Sequence, residues 1–172
     1  MAVIASTLVP MSSRITTLGF ILLLTGILTD FWLVGFGSDL FHMGLWQTCT
    51  KNICTKVNGS GYINATRGFV IFSTALLIFG MIFSCLTFLK FRVGRITACL
   101  GTAVLQSLSA MFLLVGMSVY TAETSYSVLN SSCNYQWSFY LCWTANVLLI
   151  ISGICHLLAH QSSPIPGYES YL

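Results

Sequence analysis

Two pairs of residues stand at spacings that could carry chemistry. Cys49 and Cys54 close the stretch "TDFWLVGFGSDLFHMGLWQTCTKNIC", with four residues between them. Thiols that near in the chain oxidise to a local bridge in an oxidising compartment, and so small a ring pins a turn. His156 and His160 are four apart, on one face of a helix, and with Cys155 beside them would offer ligands to a metal. No carboxylate stands close to this second pair, so an ordinary interfacial role is the reading and no metal is expected. No nucleophile with a base and no phosphate loop is found elsewhere. The expectation is a protein that is not an enzyme and holds no cofactor.

The elements that position these residues follow from composition. The 172 residues are 56% hydrophobic and 6% charged, against about 25% charged in soluble domains. Four acidic residues and seven Lys plus Arg leave too little charge for a nucleic-acid surface, so no nucleic acid is expected as partner. The setting is a lipid bilayer, whose core takes about 20 apolar residues per helix. Residues 15–34, 68–89, 96–120 and 137–160 supply four such spans in a single domain. The first lacks a basic start before Arg14 and is followed by "TDFW" rather than small residues, so it is read as a span and not a cleaved signal.

Between the second and third spans lies only "KFRVGR", with Lys90, Arg92 and Arg95. The positive-inside bias puts that turn in the cytosol with Arg14, and both termini with it. The first outer loop, 35–67, then faces the exterior or a lumen, and 161–172 forms a cytosolic tail. In that loop, aromatic, β-branched and glycine residues flank the cysteine pair, which predicts short strands closed by the bridge. A hairpin alone is marginal in water. Trp32 and Trp46 offer the missing contact at the interface, and Gly44 lets the backbone approach closely beside them. The fold class is therefore an all-α membrane protein: a four-transmembrane-helix bundle with a small disulfide-pinned extracellular or lumenal β-sheet cap.

Trp32, then Gly44-Leu45-Trp46, then Cys49 and Cys54, in a four-span chain of this length, resembles the superfamily of claudins, peripheral myelin protein, epithelial membrane proteins and lens fibre membrane intrinsic protein. The resemblance covers essentially the whole chain. "GLWQTCTKNIC" and "INATRGFVIFSTAL" look like the lens fibre branch; "LTDFW", "VYTAE", "WSFYLCW" and the terminal "PIPGYESYL" resemble the killer-lymphocyte granule branch. The granule branch implies residence in lysosome-related cytotoxic granules and the plasma membrane, and promotion of regulated exocytosis. Its implied partners are other membrane proteins met laterally, a second copy included. The lens branch implies a structural or adhesive role at cell contacts instead.

Asp30 and Arg67, at the outer ends of the first two spans, are candidates for an ion pair or for simply reaching the headgroups. Sequons stand at Asn58, Asn64 and Asn130; Asn64 is close to the membrane and is expected, with Thr66, to cap the second helix. Gln106 and Asn146 should each seek an interhelical hydrogen bond. Cys133 is alone in the second outer loop, and Cys85, Cys99 and Cys155 read as packing residues near the inner ends of their spans, with palmitoylation as the alternative. In the tail, Ser170 and Leu172 fit a C-terminal ligand of a PDZ-type groove. Tyr168 resembles the anchor of a tyrosine-based sorting signal read by a cytosolic adaptor, although Leu172 falls one place late.

Overall fold

The computed structural model describes residues 2–36, 39–51, 53–58, 60–88, 92–93, 96–130 and 133–162. Four long helices carry the membrane spans: α1 (Ala2–Leu28), α2 (Gly61–Phe88), α3 (Ala98–Leu129) and α4 (Trp137–Gln161). Between α1 and α2 run four short strands, β1 (Leu33–Phe36), β2 (Leu40–Met43), β3 (Gln47–Thr50) and β4 (Ile53–Lys56). A minimal hairpin of β5 (Arg92–Val93) and β6 (Ile96–Thr97) joins α2 to α3, and β7 (Cys133–Tyr135) precedes α4. Lys90 and Arg95, expected in that inner turn, lie outside the described residues.

α1 begins before residue 15, α2 before 68 and α3 ends beyond 120, while residues 96 and 97, expected in the third span, belong to β6. The reason is that hydropathy registers bilayer thickness, whereas a helix ends only where its backbone finds other partners. α1 stops at Leu28, and residues 33 and 34, expected in the first span, belong to β1. Its other end runs through Arg14, which is exposed on the helix rather than placed before it. α2 begins at Gly61, where the amides of Ile63 and Asn64 bond to the Ser60 carbonyl, so Asn64 and Thr66 lie inside the helix and do not cap it. α3, at 32 residues, is about 48 Å long at 1.5 Å per residue. It outruns a hydrocarbon core of about 30 Å.

Within the bundle α1 lies against α4, α4 against α3 and α3 against α2, while α1 and α2 barely touch. Lipid gives apolar helices no reason to separate from it, so association rests on close backbone approach and interhelical hydrogen bonds. Gly26 shows the first device: a Cβ there would stand 2.6 Å from Cys142 Sγ and 2.8 Å from the Ser138 carbonyl oxygen. The second device is a buried polar seam. Gln106 Nε2 donates to Thr16 Oγ1 at 2.7 Å, Ser152 Oγ donates to Gln106 Oε1 at 3.0 Å, and Ser12 donates to the Ser152 carbonyl at 2.9 Å. Three helices are thereby tied by short side chains. A matching pair, Ser73 and Ser109, ties α2 to α3, each hydroxyl within 2.9 Å of the other's carbonyl.

The five outer strands form one antiparallel sheet in the order β4-β3-β2-β1-β7. Strand β7 comes from the second outer loop, pairing Leu33 with Tyr135 and Gly35 with Cys133, so the two loops make one cap rather than two. Tyr135 then stacks on Phe139 of α4 at 4.1 Å and its hydroxyl lies 2.9 Å from Thr124 of α3. The hydrophobic core is continuous from bundle to sheet: Leu23, Leu113, Met117 and Tyr120 meet Trp32 and Leu45, all fully buried.

Candidate functional site

The residues singled out by the sequence converge at the joint between the cap and the end of α1. A helix leaves its last four carbonyls without intrahelical partners. Here Thr29 Oγ1 donates to the Thr25 carbonyl at 2.6 Å, Trp32 Nε1 to Gly26 at 2.7 Å and Trp46 Nε1 to Ile27 at 2.9 Å. Two indoles, one just before β1 and one just before β3, thus finish the helix. An indole supplies one N–H on a large apolar body, which suits a carbonyl at the edge of a bilayer.

Trp32 is fully buried, edge-on to Tyr120 at 4.9 Å and to Phe139 at 6.3 Å. Its own backbone extends the sheet, donating to the Met43 carbonyl and accepting from the Gln136 amide, both at 3.1 Å. Leu45 is fully buried beneath the sheet. Gly44 packs on the backbone at the end of α1: a Cβ there would stand 2.5 Å from Asp30 Cα and 2.7 Å from its Oδ1. Trp46 is 37% exposed, and its ring is covered by Arg67, whose Cζ is 5.3 Å from the ring centre.

Arg67 is the second tie. From the second turn of α2 its Nε donates to the Leu45 carbonyl at 2.8 Å and its Nη2 to Val57 at 3.1 Å, gripping both ends of the β3–β4 hairpin. The Asp30–Arg67 ion pair considered from sequence is not formed. Asp30 accepts from Gln47 Nε2 instead, and the recorded ion pair among the described residues is Lys51 with Asp39, at 2.7 Å. The physical reason is that both groups find partners nearer to hand in the folded loop, and uncharged carbonyls hold a guanidinium without burying a carboxylate.

Cys49 and Cys54 are bonded across β3 and β4, their Cα atoms 4.0 Å apart in directly opposed positions. Asn58 is exposed just beyond β4, and Asn130 is exposed at the end of α3. Asn64 Oδ1 accepts from Arg67 at 3.1 Å, and Thr66 Oγ1 is buried against the Gly116 carbonyl at 3.3 Å. Tyr168, Ser170 and Leu172 lie outside the described residues. Cys133 is buried in β7 opposite Gly35, and burial pushes its thiol pKa up.

The sequence pattern of the PMP-22/EMP/MP20/Claudin family matches residues 6–156, which include every residue of this joint. The chain belongs to that family. Among the relatives of this chain, human Protein NKG7 is 33% identical over 160 residues, covering 90% of this chain and 92% of the relative. Human lens fiber membrane intrinsic protein is 30% identical over 149 residues, covering 83% and 86%. Mouse claudin domain-containing protein 2 is 28% identical over 146 residues, covering 83% and 80%. Membership makes this a multi-pass structural membrane protein and not an enzyme.

Elsewhere, Gln106 makes the interhelical bonds expected of it, whereas Asn146 is buried with its Oδ1 unpartnered among the described residues. No three His, Cys, Asp or Glu side chains gather as a metal site among the described residues. Cys99 is buried with its thiol donating to the His156 carbonyl at 3.3 Å; Cys85 is exposed and Cys155 half-buried. Three features escaped sequence reasoning: Gln47 as partner of Asp30, Cys142 as the surface against Gly26, and the serine-threonine seam. The seam had a signal, since Ser12 and Thr16 stand four apart on one face of an otherwise apolar helix.

Proposed function

We propose that this chain is a four-span protein of cytotoxic, lysosome-related granule membranes and the plasma membrane, promoting regulated granule exocytosis through lateral contacts with other membrane proteins. In this reading both termini are cytosolic and the cap faces the granule lumen or cell exterior. The observation that carries the lateral mechanism is the distribution of polarity. Among the described residues the buried set includes no Asp, Glu, Lys or Arg and one histidine, His156 in the last two turns of α4, while Ser12, Thr16, Ser152 and Gln106 pair with one another. A transport path would need ionisable groups along its length, and a single imidazole near one end of α4 does not make one. The outward faces of the helices instead present Leu18, Ile21, Phe72, Phe79, Met111 and Ile154 to lipid or to neighbouring helices. Similarity to human Protein NKG7 over 90% of this chain supports the granule branch, as does the "PIPGYESYL" tail. An adaptor or PDZ-type domain would read that tail.

A second reading, adhesion at plasma-membrane contacts, is favoured by the cap, where Leu40 is 56% and Ile53 69% exposed. One experiment separates the two. An internally tagged copy is located in a cytotoxic lymphocyte against granule and surface markers, and degranulation is measured after its removal. Granule residence with reduced release is the expected result. Residence at cell contacts with normal release would overturn the granule reading and favour adhesion.

A further inference from the structure

The cap sheet ends at β4, whose four residues are all exposed and which pairs on one side only, with β3. Its register tells which backbone groups are left open. Val57 donates to the Trp46 carbonyl at 3.1 Å, so residues 57 and 46 form a hydrogen-bonded pair. Antiparallel ladders alternate, which makes Thr55 with Thr48 bonded, and Cys54 with Cys49 and Lys56 with Gln47 non-bonded. The N–H and C=O groups of Cys54 and Lys56 therefore point away from β3. An open edge of this kind is a template for another strand unless something covers it. Ile53, at 69% exposure, adds apolar surface beside that edge.

Asn58 follows two residues after Lys56, exposed and outside any helix or strand, with exposed Ser60 completing Asn-Gly-Ser. The three sequons are not equivalent in the fold. Asn64 is helical, and helical side chains two positions apart point to opposite faces. Its Thr66 hydroxyl is committed to α3. Asn130 is followed by residues outside the described chain. Asn58 alone has both its amide and its hydroxyl partner shown on the surface.

We propose that Asn58 carries an N-linked glycan and that this glycan covers the open β4 edge, holding the cap sheets of neighbouring copies apart. A glycan is bulky and solubilising, and two residues from the last open edge group it occupies the space an added strand would need. The inference rests on the proposed sidedness of the cap, not on the granule reading.

The test uses the full-length tagged chain expressed in mammalian cells and treated with an N-glycosidase. The wild type should shift in mobility, Asn58→Gln should lose one step of that shift, Asn64→Gln should lose none, and Ser60→Thr should keep it. An Asn58→Gln chain that keeps the full shift overturns the site, as does a wild type with no shift. In that last case an impermeant amine reagent on Lys51 tells whether the sidedness has failed too. Crosslinking at the cell surface then tests the covering role. Asn58→Gln should give more crosslinked dimer than wild type, and adding Lys56→Pro, which removes an outward N–H without breaking the ladder, should reverse the gain. Dimer unchanged in Asn58→Gln, or raised but insensitive to Lys56→Pro, overturns the covering role.

Discussion

Replacing Trp32 by Phe removes the indole N–H but keeps an aromatic ring, and its cost can be worked out beside that of the same change at Trp46. Both indoles finish α1, one on the Gly26 carbonyl and the other on Ile27. They differ in access to solvent: Trp32 is 0% exposed and Trp46 37%. A buried carbonyl that loses its donor suffers the full desolvation penalty, about 1 to 3 kcal/mol, whereas one that water can reach loses about 1 kcal/mol or less. Trp32→Phe also leaves a gap against Tyr120 and Phe139 that a rigid core closes only in part. The expected loss is therefore at least about 2 kcal/mol at Trp32 and about 1 at Trp46. For a chain of this size that is a fall in Tm of about 4 to 8 °C against about 2 to 4 °C. The assay is thermal unfolding of the purified variants in one detergent or nanodisc. A Trp46→Phe loss equal to or larger than that of Trp32→Phe would refute the claim that burial of the helix-end carbonyl decides the energetics.

Cys49→Ser or Cys54→Ser removes a bridge of sequence separation 5, worth about 2 kcal/mol for so short a loop; both variants should be retained in the secretory pathway, and normal delivery would remove the folding role. Gly44→Ala should loosen the first loop to protease, since the new methyl meets Asp30 backbone at 2.5 Å, a clash that costs about 1 to 3 kcal/mol; unchanged protection would contradict the close approach. Gln106→Leu should lower Tm modestly, by the equivalent of about 0.6 to 1.7 kcal/mol, because Thr16 and Ser152 keep each other and Ser12 as partners; a larger fall would mean the seam acts as one unit. Cys133 should react with an impermeant maleimide at pH 7 far more slowly than an unhindered thiol, because it is buried and its pKa is raised; fast labelling would show that β7 does not hold its place at the sheet edge.

How much of this was legible beforehand depended on whether the signal was local. The cysteine pair, the two tryptophans and Gly44 announce themselves within one loop, because a short bridge, an interfacial indole and a close turn each have their own residue type. The four spans were legible as apolar runs, but their ends were not, since "INATR" is polar yet begins α2, and "VYTAETSYSVL" is polar yet ends α3. What was illegible is what distance decides. Asp30 and Arg67 share a depth, and opposite charges invite pairing, but sequence could not show that Gln47 and the Leu45 and Val57 carbonyls would reach them first. Strand β7 is three residues long and makes sense only beside β1.

The joint has a consequence for how a protein of this kind meets its neighbours. The indoles fasten the sheet to α1, Arg67 fastens the same hairpin to α2, and β7 with Tyr135 fastens it to α3 and α4. Because α1 and α2 barely touch directly, Trp46 under Arg67 is a main link between those two helices at the outer surface. A partner that pressed on the outward face of either helix would meet a unit whose angle is set from outside the bilayer, by groups worth about 1 to 3 kcal/mol each. The sheet thus fixes the spacing of the helix faces it never touches. Loss of the joint should therefore weaken lateral assembly within the membrane even where every lipid-facing residue is unchanged.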